Sequence, residues 1–177
     1  MDSINAQQPE HNRADLAGQD VIPKLKELAE DEICFFCTAS SGGGSQGVRP
    51  MSALQVDEQG NLWFLSASDS RKNAEIAANA AVKLLFQGGR AEFLTLDGVA
   101  AISRDKAKIK ELWGFLMKTW FTEGEDDPRI TVIKVTPTGG YYWDTKHGSA
   151  VAGIKMVIGA TIGKTLDDSV EGVLTPS

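Results

Sequence analysis

The residues of this chain that carry chemistry gather between Val48 and Ala80, and their types suit an anion. Ser70, Arg71 and Lys72 stand together where a run with helical periodicity begins, directly after Ser66-Ala67-Ser68-Asp69. Ser and Asp at a helix entry leave backbone N–H groups without intrahelical partners. A helix N-terminus carries partial positive charge, and a hydroxyl beside an Arg-Lys pair adds charge-assisted bonds to phosphate oxygens. Arg49 lies on an extended run just upstream and is placed to reach the same point. Pro50 behind it removes one backbone donor, which suits a strand edge or a ligand-facing break in a ladder. The same Ser-Arg-Lys is also what a solvated helix cap looks like, so residue types alone leave both readings open.

Other chemistries are weaker. Cys34 and Cys37 form a C-x-x-C within Ile33-Cys34-Phe35-Phe36-Cys37-Thr38. In a strand, residues three apart point to opposite faces, so the sulfurs are expected as two buried structural thiols rather than a redox pair or half a zinc site. Gly42, Gly44 and Gly47 match G-x-G-x-x-G, but Pro50 disfavours the helix that motif needs at its exit, and a flexible connection is expected. Glu123 to Pro128 is an acidic run read as a solvated turn, and no metal is expected. His11 and His147 lie near the two ends of the chain, so no imidazole acid or base is assigned and catalytic side chains stay unidentified.

The anion-binding stretch needs elements to hold it. Val48–Val56 and Asn61–Ser66 read as strands joined by a turn at Asp57–Gly60. Upstream, Val21, Ile22, Leu25 and Leu28 recur at helical spacing behind an early Pro23, giving a short helix that caps one end of a sheet. Downstream, Val82–Phe86 and Glu92–Ile102 are strands, with Gly98 a bulge or close approach. Asp105 caps an amphipathic helix from Lys106 to Phe121, along which Ile109, Leu112, Trp113, Leu116 and Trp120 recur. Trp120 is expected in the core, and Trp113, beside Gly114, at a ligand. Ile130–Val135 is a strand, Pro137–Gly140 a turn and Tyr141–Asp144 an aromatic strand end. Five or six strands with few helices give an α+β chain, mainly β with flanking helices, built on a closed or split antiparallel barrel.

With 177 residues the chain is long enough for one domain with a core, and its net charge of −6 comes from its two ends. Residues 1–20 hold four acids and one Arg, residues 165–177 three acids and no base, so the body is neutral. A neutral body lacks the clustered basic face of a nucleic-acid binder. No apolar run approaches the roughly 20 residues of a membrane span, and no signal peptide is recognisable, so a cytoplasmic protein is expected. Residues 1–19 are expected to be disordered, 20–146 to form the domain, and 147–177 to make a Gly-rich tail with a docking helix near His147–Gly163.

The order VRPMSA, NLWFLSA, SRKNAEIAANAAVKLLF, LDGVAAI, LWGFLMKTWF, EGEDDPR and YYWDT, from about Val21 to Lys164, resembles flavin-binding split-barrel proteins related to pyridoxamine 5'-phosphate oxidase. It is most similar to their general stress protein branch. The resemblance implies an antiparallel six-stranded split β-barrel and a homodimer with flavin mononucleotide (FMN) at its interface, flavin adenine dinucleotide (FAD) not being excluded. By that analogy Arg49, Ser70, Arg71 and Lys72 hold the phosphate. Pro50, Met51, Phe64, Leu65 and Ser66 line the flavin ring, and Trp113 and Trp143 are the candidates for the aromatics with which the partner chain closes the pocket. It implies a flavin-dependent oxidoreductase on an unidentified small molecule, or alternatively a non-catalytic protein that binds or sequesters flavin. The oxidase's own C-terminal phosphate-binding segment is not recognisable after Trp143, which argues against vitamin B6 oxidation.

Overall fold

Period-two burial organises most of the chain. In the computed structural model, which describes residues 12–39, 47–89, 92–145 and 168–176, the strands in chain order are β1 (Leu16–Ala17), β2 (Ile33–Thr38), β3 (Val48–Ser52), β4 (Gln55–Val56), β5 (Leu62–Ala67), β6 (Ala81–Gln87), β7 (Phe93–Ser103), β8 (Ile130–Thr145) and β9 (Ser169–Thr175). The helices are α1 (Val21–Ala29), α2 (Arg71–Ala78) and α3 (Lys106–Leu112), followed by a 3-10 turn over Phe115–Thr119. The fold is mainly β with a few helices, as expected. Among the described residues the ladders join nine strands into one sheet in the order β1-β9-β8-β7-β6-β2-β3, with β5 also paired to β8 and β4 to β5. Among the described residues a regular six-strand ring of ladders is not formed, since β3 pairs there with β2 alone.

β8 is the hub because it is long. Of its 16 residues Val132 to Trp143 run beside β7, while its first part also pairs with β5 and its last with β9. Alternation then sorts the side chains. Cys34, Phe36, Leu84, Phe86, Leu94, Leu96, Ile133 and Val135 turn inward to one core, whereas Ile33, Phe35, Val99 and Phe93 face out. Phe36 of β2 and Phe64 of β5 share no ladder, yet their rings meet edge-to-face at 5.2 Å, so the sheet curls until its ends enclose the core. Helix α1 covers one end with Val21, Leu25 and Leu28 buried, and its Glu30 accepts from Val56 N at 2.9 Å. Each such Leu or Val contributes about 1.5–3 kcal/mol by leaving water.

Several expected boundaries shift, each for a local reason. The strand expected over Val48–Val56 breaks at Ala53 and Leu54. Ala53 N there donates to Glu32 O and Leu54 N to Trp63 O, so the chain changes partner from β2 to β5. The turn expected at Pro137–Gly140 is a bulge inside β8: Gly98 pairs with Pro137 and Asp97 with Gly139, which leaves Thr138 extra. Pro and Gly suit turns and bulges alike, and the continuous partner β7 decides between them. A Cβ on Gly98 would lie 2.8 Å from Val135 Cγ1, which confirms the close approach expected there. The helix expected to reach Phe121 ends at Leu112, because Trp113 and Gly114 are extended. Its start holds: the Asp105 carboxylate accepts from Ala107 N and Lys108 N at 2.9 and 3.2 Å.

The two ends of the chain also pair with each other. Within the segment expected to be structureless, Ala14 N donates to Glu171 O, and β1 runs parallel to β9. The docking helix expected near 147–163 lies outside the described residues, as do Gly42 and Gly44. No helix among the described residues is long and apolar enough to cross a membrane. The sulfurs of Cys34 and Cys37 are not bonded to each other: Cys34 is buried in the core, which pushes its thiol up to about 12, while Cys37 is only half-buried.

Candidate functional site

β5 ends and α2 begins over Ala67–Ser70, and a buried polar network fixes the angle between them. Ser70 stays extended and its hydroxyl accepts from Asn73 N at 3.2 Å, the N-cap its sequence position foretells. Ser66 Oγ donates to Asn73 Oδ1 at 2.8 Å, Asn73 Nδ2 donates to Thr131 Oγ1 at 2.8 Å, and Thr131 Oγ1 donates to Ser66 O at 2.9 Å. One amide thus ties helix, strand β5 and strand β8 together. Buried hydrogen bonds of this kind contribute about 1 kcal/mol each, and leaving a partner unsatisfied costs about 1–3. Nothing in the local sequence singles out Asn73, whose partners lie as far as 58 residues away.

Lys72 follows the cap and turns inward. Its side chain is only 8% exposed, and its ammonium meets Met51 Sδ at 2.9 Å. Among the described residues no carboxylate pairs with it. Burial, and then the positive charge of Arg49, lower its pKa from the ordinary lysine value to about 8. Arg49 is balanced differently. Its Nη2 donates to Glu75 Oε2 at 2.6 Å and to Thr38 Oγ1 at 3.1 Å, and Thr38 Oγ1 donates to the same carboxylate at 2.5 Å. The Thr38 hydroxyl first, and Arg49 second, hold Glu75 below the usual carboxylate range. Lys72 is therefore the uncompensated charge of this corner.

Both cations open onto a cavity of about 680 Å³, within the range of small-molecule pockets. Of the expected site residues, Arg49, Pro50, Met51, Leu65, Ser66, Ser70 and Lys72 line it. Four do not. Phe64 alternates inward and is fully buried against Phe36. Arg71 points outward, 3.7 Å from Glu75 Oε1, because neighbours on a helix diverge by 100°. Trp113 packs in a second core cluster with Ile109, Leu112 and Phe121, its ring 6.4 Å from that of Phe121. Trp143 sits near the far end of β8, paired with Phe93 and Glu171, its ring tilted by 53° against that of Tyr141 at 4.6 Å.

The opposite wall was missed. Met117, Trp120, Phe121 and Arg129 line the cavity from the segment after α3. Trp120, expected in the core, is 65% exposed. The helical projection that buried it fails because the helix stops at Leu112. Arg129 follows Asp127-Pro128, and its Nε and Nη2 donate to the two oxygens of the fully buried Asp127 at 3.1 and 2.7 Å. The guanidinium holds that carboxylate below its ordinary range. Asp127 is thereby spent on a neighbour rather than standing in a solvated turn. A basic residue one step beyond Asp-Pro was the available signal, and its meaning depended on the pair being buried.

What the site can do follows from its parts. A phosphate or other dianion fits the Lys72 corner, where the free N–H groups of α2, the Ser70 hydroxyl and an unpaired buried ammonium converge. A flat apolar body fits against Met51 and Leu65 on the strands, and Met117, Trp120 and Phe121 make up the rest of the apolar lining.

Comparison with known proteins agrees with this architecture. The fold is similar to that of a protein assigned as general stress protein 26 from Jannaschia sp. CCS1, at a TM-score of 0.73 and 23% identity over 88% of this chain and 96% of that one. General stress protein 26 from Bacillus anthracis str. Sterne follows at 0.60 and 19%, covering 70% and 92% of the two chains. A general stress FMN/FAD binding protein from Xanthomonas citri is similar at 0.59 and 22%, over 68% and 85%. No curated protein sequence matches. The family model described as pyridoxamine 5'-phosphate oxidase like matches residues 20–167, and with that span of its length covered the chain belongs to the pyridoxamine 5'-phosphate oxidase-like family.

Proposed function

We propose that this protein is a flavin-binding protein of the general stress type, with FMN as its cofactor and its phosphate on Lys72, Ser70 and the N-terminus of α2. The observation that carries this is the ammonium of Lys72, buried at the cavity with a thioether for its closest partner. Burying an unpaired charge is costly, and a phosphate there offsets that cost with charge-assisted bonds. Arg49 adds long-range attraction while keeping its own pair with Glu75. Arg71, directed to solvent, contributes least.

In this reading the ring lies against Met51, Pro50, Leu65 and the Ser66 backbone, and the bound flavin supplies the redox chemistry. The chain's own work is to bind, orient and exclude water. Among the described residues the cavity lining holds no carboxylate and no imidazole, so protons come from solvent or from Lys72. That lining also favours the second reading, a protein that binds flavin with little turnover of its own.

The six-stranded split barrel belongs to the same proposal. Its support is the change of partner at Ala53–Leu54, through which β3 runs on into β4 and links β2 to β5. A homodimer is supported by exposed apolar residues on the outer sheet face. Phe35 stands in a cross-strand row with Leu85, Thr95 and Tyr141, beside the Phe93–Trp143 pair. Ile33 carries this face to the rim of the cavity.

The test is the visible absorption spectrum of purified protein after FMN is added and excess removed, beside titrations with FMN and riboflavin. Retention of about one flavin per chain, with FMN held at least tenfold more tightly than riboflavin, is the expected result. A protein that stays colourless overturns the cofactor. Equal affinity for both flavins overturns the phosphate site. Sedimentation velocity of the flavin-loaded protein reads the dimer directly.

A further inference from the structure

The cavity has two walls that differ in charge, and only the strand wall is used by the flavin reading. Met117, Trp120 and Phe121 also line the cavity, from the segment after α3, and Arg129 lines it from the residue before β8. Phe121 is held from behind: Phe121 N donates to Met117 O at 3.0 Å, and its ring rests against Trp113. Trp120 lines the cavity and is 65% exposed, whereas Phe121 beside it is only 5% exposed. An exposed aromatic face beside a fixed apolar ring is a stacking platform for a planar molecule.

Arg129 sets the polarity of what such a molecule carries. Asp127 takes Nε and one side of Nη2, which fixes the guanidinium plane, and among the described residues no bond engages Nη1. The planar fork therefore keeps N–H donors in a set direction. Because the buried Asp127 carboxylate balances the charge, the pair presents donors without net charge. A dianion gains more at Lys72, where the charge is uncompensated, while a neutral acceptor oxygen loses nothing at Arg129. The peptide oxygen of Arg129 accepts from Ser68 N at 2.7 Å, which anchors this residue beside the turn into α2.

We propose that Trp120, Phe121 and Arg129 form a subsite for a second ligand: a planar, uncharged aromatic molecule with a carbonyl-type oxygen, stacked on Trp120 with its edge at Phe121 and hydrogen-bonded by Arg129. The subsite rests on the flavin reading only for what fills the strand wall opposite. It gives that reading a substrate class, a flat carbonyl compound in place of an anion.

The test compares 9-fluorenone with fluorene, the same planar body without the oxygen, by equilibrium dialysis against full-length protein with and without FMN. The expected result is that fluorenone binds about tenfold more tightly than fluorene and is not displaced by FMN. Trp120→Ala weakens both about tenfold. Arg129→Met erases the preference for fluorenone, and Arg129→Lys does the same while keeping a cation against Asp127, which separates recognition from loss of fold. A preference unchanged in both Arg129 variants overturns the subsite. So does competition between FMN and fluorenone, or a Trp120→Ala protein that dissociates into monomers with fluorenone binding intact. Fluorenone selectivity in a protein that retains no FMN removes the flavin reading and keeps the subsite.

Discussion

The two basic corners of the cavity hold their charges in opposite ways. Lys72 is buried with no acid against it, whereas Arg129 lies half-exposed and is clamped by the fully buried Asp127. The first stores an unmet demand for negative charge, and a ligand must meet it. The second has met its demand within the chain and keeps only direction. Burial without a partner makes an anion site, while pairing with spare donors makes a site for neutral oxygen. Residue type alone does not separate these roles, since each is simply a base near a helix or turn.

The sharpest way to break this contrast is to remove the uncompensated charge. Lys72→Met should weaken FMN about 30- to 100-fold and riboflavin less than threefold, measured by quenching of flavin fluorescence, in line with the 1.5–3 kcal/mol of a hydrogen bond to a charged group. The same variant should unfold at higher denaturant than the parent when no flavin is present, because a buried charge has gone. If FMN and riboflavin weaken together, Lys72 supports the pocket rather than the phosphate.

Next in size is the frame behind that corner. Asn73→Ala strips the link between Ser66, Ser70 and Thr131 and should destabilise the protein by about 2–3 kcal/mol in urea unfolding, with flavin affinity falling as β5 and α2 come apart. An unchanged midpoint would show that the network is dispensable.

pH gives two slopes of opposite sign from one group. The folded pKa of Lys72, about 8, lies below its unfolded value of 10.5, so between them the unfolded chain holds more protons and stability without flavin rises with pH. FMN binding needs the ammonium, so its affinity should fall about fivefold from pH 8 to 9, as the protonated fraction of a group with a pKa of about 8 does, while that of riboflavin stays level. Lys72→Met should flatten both slopes. Finding that the variant keeps the pH dependence of FMN affinity would assign it to another group.

The smallest expected effect concerns Arg71. Its outward position predicts that Arg71→Ala changes FMN affinity less than threefold, against the much larger loss at Lys72. Comparable losses at the two positions would mean that the side chain swings over the helix end when the ligand arrives.

Much of this was legible early. The N-cap at Ser70 and the cap at Asp105 depend on one side chain and the N–H groups two or three residues on, so local sequence suffices. Arg49 and Lys72, expected at an anion from their residue types and place, and Met51 and Ser66, expected at a ligand from the family resemblance, all line the cavity, but the burial of Lys72 was not legible. The errors cluster where a remote partner chose between two local options. Pro137–Gly140 became a bulge because β7 runs past it, and Trp120 left the core because the helix ended at Trp113.

Sequence by itself determined the alternation of the strands, the caps, and the gathering of Ser70, Arg71 and Lys72 at a helix start, since these follow from backbone sterics and period. Tertiary structure alone decided which charge is paired. Glu75 reaches Arg49 across 26 residues, Asp127 is buried beneath Arg129, and no acid comes to Lys72 among the described residues. Pairing depends on which groups leave water together, and only the assembled sheet brings those groups into one place.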